Sequence, residues 1–146
     1  MQVEKIKIRF EQRFVNFAKS LKKLHNVADT YDLIIINEKD RDSLIKRFEL
    51  TFELAWNCYK DYLEYNGEIE LYSSRNTIKT AFKQGLIING VIWLEMIETR
   101  VLSVHSYDEE NANKIAKEII EKYLIEYDIA LDNFTKYLNN IKETII

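Results

Sequence analysis

The chain of 146 residues contains no proline and only three glycines, Gly67, Gly85 and Gly90. Proline and glycine are the residues that most disfavour a helix interior, by about 3 and about 1 kcal/mol relative to alanine. A sequence this free of breakers is expected to be all-α. The glycines then mark where helices stop. Asn66-Gly67 closes a long apolar-patterned stretch, and Gly85 and Asn89-Gly90 bracket the end of a short one and the start of the next.

Apolar spacing between these marks is helical. Residues 4–28 place Phe10, Phe14, Phe17, Leu21, Leu24 and Ala28 at three- and four-residue steps, one stripe along one helix. From Asp40 to Tyr65 a second helix carries Leu44, Phe48, Phe52, Ala55, Tyr59 and Tyr62 on one face, with Ile45, Trp56 and Leu63 beside it. An apolar surface that wide implies burial on two sides. The intervening TYDLIIINEK (residues 30–39) has four consecutive apolar residues, too few for an independent helix, and reads as a partly buried connection. A short third helix is expected over about Ser74–Gln84, capped by Ser73 or Ser74 and stopped by Gly85. A fourth runs through Ile92, Trp93, Met96, Ile97 and Val101. The last, from about Tyr107 to Ile141, buries Ile115, Ile119, Tyr123, Tyr127, Ala130, Phe134, Tyr137 and Ile141, with Ser106 and Glu109 at capping-box spacing at its start. Long helices with short connections predict an antiparallel bundle of four main helices plus one short one. No repeat or linker divides the sequence, so residues 1–146 are expected to form one domain.

Hydrophobic residues make up 47% of the chain and charged residues 31%, a globular composition without an apolar run of membrane length. The N-terminal MQVEKIKIRFEQRF has no h-region or small-residue cleavage site, so a cytoplasmic location is expected. Cys58, the single cysteine, lies in FELAWNCYKDYL and reads as a small core hydrophobe. With 21 basic against 24 acidic residues and a net charge of -3, the chain has no general attraction for nucleic acid, and RNA contact requires a local patch. A Gly-rich phosphate loop, a Cys/His metal pattern and a serine nucleophile motif are all missing from the sequence. We therefore expect no metal or cofactor, and do not expect the chain to be a nucleotidyltransferase itself.

Chemistry concentrates in TRVLSVHSYDEEN, where Arg100, His105 and Tyr107 fall within eight residues at the junction of two helices. On one continuous helix Arg100 and Tyr107 would share a face while His105 would be turned by about 140°, so convergence of all three requires the helix to end or bend near His105. Arginine's donor fork suits a phosphate, and histidine exchanges protons near neutral pH. Together they suit metal-free phosphodiester cleavage, with histidine taking the proton of an RNA 2′-hydroxyl and arginine stabilising charge on phosphorus. The product would be a 2′,3′-cyclic phosphate. One histidine does not easily serve as base and acid together, but two copies across a two-fold axis supply both, so a homodimer is expected. Spacing alone favours a plainer account: Arg100 paired with a neighbouring carboxylate such as Glu98 or Asp108, His105 at a helix end, and Tyr107 in the core.

The blocks RDSLIKRFELTFELAW (Arg41 to Trp56), TAFKQGLI (Thr80 to Ile87), WLEMIETR (Trp93 to Arg100) and HSYDEENA (His105 to Ala112) cover much of the chain. They resemble the bacterial and archaeal nucleotidyltransferase substrate-binding protein family, a branch of the HEPN domains encoded beside minimal nucleotidyltransferases. The family motif of arginine, four residues, histidine, one residue and tyrosine is matched by Arg100, His105 and Tyr107. The resemblance implies a HEPN-like helical bundle and, in toxin-antitoxin members, a metal-independent endoribonuclease site formed by Arg100 and His105 at a homodimer interface. Tyr107 would be the residue to which a partner minimal nucleotidyltransferase, the antitoxin, transfers AMP. One departure is Val101, which stands where HEPN ribonucleases often carry a polar residue after the arginine.

Arg75, Lys79 and Lys83 recur at four-residue steps and form a basic stripe that could follow an RNA backbone or meet an acidic face of the partner; a solvated helix face is the plainer account. Glu49 and Glu53 lack a histidine at metal-site spacing and read as interface or surface charges. His25 reads as a helix-end or surface residue, and Trp56 and Trp93 as core or dimer-interface residues. The alternative to a ribonuclease is a non-catalytic subunit that presents substrate or a docking surface to the nucleotidyltransferase. A purely structural dimer would leave the three-residue motif unexplained.

Overall fold

The computed structural model describes residues 2–144. They form helices α1 (Gln2–Thr30), α2 (Glu38–Tyr65), α3 (Ser74–Lys83), α4 (Gly90–Leu102), α5 (Glu109–Glu118) and α6 (Leu124–Thr144), with no strand among the described residues. A 3-10 turn, Ser103–His105, follows α4, and a π-helical turn, Ile119–Tyr123, joins α5 to α6. Cross-helix pairs set the directions. Arg9 with Asp61 and Ser20 with Thr51 run α1 antiparallel to α2, while Phe17 with Phe134 and His25 with Asp128 run it antiparallel to α6. Trp93 with Glu126 and Thr99 with Tyr123 make α4 antiparallel to the α5–α6 rod. The result is the expected all-α, antiparallel bundle of four main helices, with α3 as the short extra one.

The core is built from the stripes read in the sequence. Phe10, Phe17, Leu21 and Leu24 of α1 meet Leu44, Phe48, Phe52, Ala55 and Tyr59 of α2, and every apolar position expected of the last helix is buried. Cys58 is buried, and burial pushes its thiol far above the usual range, so it is an inert core residue. The π-helical turn follows from the spacing of Ile115, Ile119, Tyr123 and Tyr127. Four-residue steps overshoot an α-helical turn by about 40° each, so three of them would carry Tyr127 out of the stripe. The wider turn, with the Leu124 N–H donating to Ile119 O, takes back part of that drift.

Asn66 ends α2, with Gly67 at φ 97° beyond it, and Gly85, at φ 79°, follows the end of α3. Both are left-handed positions where a Cβ is strained. Ser73, of the two serines considered, caps α3 by accepting from Asn76 N. Three local expectations differ. The last helix starts at Glu109 and is capped by Asp108, whose carboxylate accepts from Asn111 N at 3.2 Å, because Ser106 is already used in the turn before it. Val101 is 59% exposed, because the buried stripe of α4 runs through Trp93, Met96 and Thr99 on to Ser103, and Val101 stands off that face. The link 31–37 is not partly buried as a whole. Tyr31 is buried, but Ile34 is 90% exposed, because Asp32 accepts from Ile34 N (2.7 Å) and Ile35 N (3.1 Å) and closes a tight turn that holds the apolar side chains outward.

Asp61 is a fully buried carboxylate on α2, held by Arg9 Nε and Arg13 Nη1 of α1, each at 2.7 Å. Burial pushes its carboxyl up, opposed by the two guanidinium groups. Asp61→Ala is expected to lower stability by about 2 kcal/mol, the loss of two charge-assisted bonds, and not more, because both arginines reach solvent and rehydrate. A urea midpoint equal to that of the parent would disprove it.

Candidate functional site

The chain leaves α4 through a sharply defined turn. Ser106 N–H donates to Ser103 O (3.2 Å) and Asp108 N–H to His105 O (3.0 Å). Asn111 then reaches back from α5, its Nδ2 donating to Leu102 O (3.1 Å) and His105 O (3.3 Å). One amide thus ties the first turn of α5 to both ends of the 3-10 turn and fixes where His105 and Tyr107 project. The α-helix ends at Leu102 and the 3-10 turn at His105, so the chain does break near His105 as the motif's spacing requires.

Within this turn His105 Nδ1 and the Tyr107 hydroxyl are hydrogen-bonded at 2.9 Å, with the rings edge to face at 5.6 Å. Tyr107 is 81% exposed, so it is not a core residue. Its phenol is open to solvent and already in contact with a group able to accept its proton. Arg100, on the last turn of α4, does not pair with Glu98 or Asp108. Its Nη2 lies 2.8 Å from Glu53 Oε1 of α2, and Glu98 is paired instead with Arg75 of α3. Glu53 Oε2 also accepts from Trp56 Nε1 (3.1 Å). Next along, Ser103 Oγ lies 2.8 Å from Glu49 Oε2 and 2.6 Å from Arg100 O.

The Arg100 Nε–H is buried and has no hydrogen-bond partner. A buried orphan donor costs about 1–3 kcal/mol, and this one is closed to an acceptor from outside the chain. The side chain is 42% exposed, so an outside acceptor is met by the exposed part of the guanidinium and not by Nε. Tyr127 underlies the pair. Its hydroxyl, fully buried and donating to Phe48 O at 3.2 Å, is driven well above its ordinary range by burial and by Tyr123, against the pull of Arg100.

Of the residues singled out from sequence, His105 and Tyr107 are in contact, and Arg100 sits one helical turn away with no direct bond to either. The basic stripe is divided: Arg75 is engaged by Glu98, while Lys79 and Lys83 are exposed. Sequence reasoning missed Ser103 and Asn111, and it read Glu49 and Glu53 as interface or surface charges without their partners Ser103 and Arg100. The four-residue spacing of Glu49 and Glu53 beside Trp56 was visible, but nothing local says that this face of α2 meets the end of α4. His25 bonds Asp128 of α6 through Nε2 at 2.6 Å and belongs to the scaffold.

A family model described as nucleotidyltransferase substrate binding protein like matches residues 12–136. A probable ribonuclease HepT of Haemophilus influenzae is 27% identical over 92 residues, which span 60% of this chain and 62% of that protein. A crystal structure from Thermus thermophilus superposes with a TM-score of 0.69 at 29% identity, covering 84% of this chain and 98% of that one. A Haemophilus influenzae protein, described as revealing the fold of a substrate binding domain of a nucleotidyltransferase, superposes at 0.64 with 21% identity, covering 88% and 98%. That last likeness concerns the fold alone. With the family model spanning most of the bundle, including Arg100, His105 and Tyr107, the chain belongs to the nucleotidyltransferase substrate binding protein like family.

Proposed function

We propose that the chain is a HEPN-type toxin, a metal-independent endoribonuclease that is silenced when a partner minimal nucleotidyltransferase transfers AMP to Tyr107. The observation that carries this reading is the exposed, hydrogen-bonded His105–Tyr107 pair at the end of the helix that bears Arg100. As a ribonuclease, His105 accepts the 2′-hydroxyl proton of RNA, the 2′-oxygen attacks phosphorus, and the 5′-oxygen of the next nucleotide leaves with a proton from the second protomer's histidine. Arg100, through the exposed part of its guanidinium, stabilises charge on the phosphoryl oxygens. Exposed Val101, Leu102 and Val104, next to these residues in sequence, support pairing of two copies here.

In the silencing step the Tyr107 phenolic oxygen attacks the α-phosphorus of ATP, its proton passes to a base such as His105, and pyrophosphate leaves. Esterification removes the O–H that bonds His105 and places a phosphate between His105 and an incoming RNA backbone. Co-expression with the nucleotidyltransferase is expected to raise the intact mass of the chain by whole AMP units, and Tyr107→Phe to abolish the increase. An unchanged mass with a stable complex would end this part of the reading.

The second reading, a non-catalytic docking subunit of the nucleotidyltransferase, is favoured by Val101 after the motif arginine and by the description of the family. Expression of the chain alone separates the two. Growth arrest relieved by Arg100→Ala supports the toxin, and unimpaired growth supports the subunit.

A further inference from the structure

Behind the turn that joins α3 to α4 lies a cavity of about 340 Å³ that the preceding chemistry does not use. Its walls include the rings of Tyr59, Trp93 and Tyr137, with Tyr59 edge-on to Trp93 at 5.6 Å. Glu126 of α6 lines it and is only 5% exposed. One Glu126 oxygen accepts from Asn89 Nδ2 (2.8 Å) and the other from Trp93 Nε1 (3.3 Å). No lysine, arginine or histidine is paired with it among the described residues. Asn133, also on the wall, spends its Nδ2 on Tyr59 Oη (3.2 Å) and Leu86 O (3.3 Å), which leaves its carbonyl oxygen as an acceptor.

The charge in the cavity is therefore negative and uncompensated, with the Asn133 carbonyl as a further acceptor and the Tyr59 and Tyr137 hydroxyls as neutral groups beside it. A carboxylate buried without a counter-ion is costly, and two neutral donors do not cancel its charge. Aromatic faces around it add an attraction for cations. The same features repel phosphate, so RNA and nucleotide phosphates are excluded as occupants. The volume is at the lower end of small-molecule sites. We propose that this cavity binds a small organic cation, a protonated amine or guanidinium carrying a few carbons, with its charge on Glu126 and its carbons against Tyr59, Trp93 and Tyr137. The site is independent of the ribonuclease reading. Trp93 lies seven residues before Arg100, two turns or about 10 Å along α4.

The test is titration of the ¹⁵N-labelled full chain with n-butylammonium, read at the Trp93 indole N–H, with 1-butanol as the neutral isostere. Saturable shifts of the Trp93 signal with the amine, at least about tenfold weaker with butanol and about tenfold weaker in Glu126→Gln, are expected. Equal response to amine and alcohol, or no saturable shift, overturns the proposal on the unaltered chain, whether or not Glu126→Gln folds. Unchanged amine affinity in a folded Glu126→Gln overturns it as well.

Discussion

Replacing His105 with alanine will slow RNA cleavage by the purified chain by about 10²–10⁴-fold, the range that a positioned general base contributes. The imidazole is exposed and, among the described residues, bonds the Tyr107 hydroxyl alone, through Nδ1, so Nε2 is left to face a substrate, and the loss should reach chemistry without reaching the fold. A urea midpoint equal to that of the parent is therefore part of the expected result. Arg100→Lys should also slow cleavage, because lysine keeps the charge but not the planar fork that can hold Glu53 and present a second donor to a phosphate. Since both residues serve one step, the double variant should be little worse than the weaker single one. Cleavage by His105→Ala at the parental rate would remove the ribonuclease reading and leave the docking subunit.

Phe134→Ala is expected to destabilise the bundle by about 3–5 kcal/mol, the range for deleting a buried aromatic side chain. Phe134 is 0% exposed and its ring contacts Phe10 and Phe17 of α1, Tyr59 of α2 and Tyr137 one turn along α6. Three helices thus lose contacts at once, and aromatic side chains on all three limit how far the gap can collapse. Native domains hold only about 5–15 kcal/mol, so the urea midpoint should fall sharply with the slope unchanged. A loss below about 1 kcal/mol would mean that this aromatic cluster is not the centre of the core.

The core was legible because burial in a helical bundle is periodic along the chain. Phe10, Phe17, Leu21 and Leu24, and the eight positions from Ile115 to Ile141, could be placed from spacing alone. The same logic failed at Val101, which is four residues after Ile97 but stands off the face that Trp93, Met96, Thr99 and Ser103 bury. It failed again at Ile34 and Ile35, where a two-residue hydrogen-bond pattern from Asp32, not hydropathy, sets direction.

The site divides along the same line. The spacing of Arg100, His105 and Tyr107, and the need for a helix to end between them, are local properties, and the sequence determined them together with the all-α class and the register of each buried stripe. The partners of those residues are not local. That Arg100 meets Glu53 and not Glu98, that Ser103 meets Glu49, and that Glu126 is buried beside Trp93 without a cation depend on which helix faces lie against each other. Those pairings join residues far apart in the chain, and only the packing of α2, α4 and α6 decided them, because a side chain's ionic partner is set by proximity in space and periodicity reports only the face on which it stands.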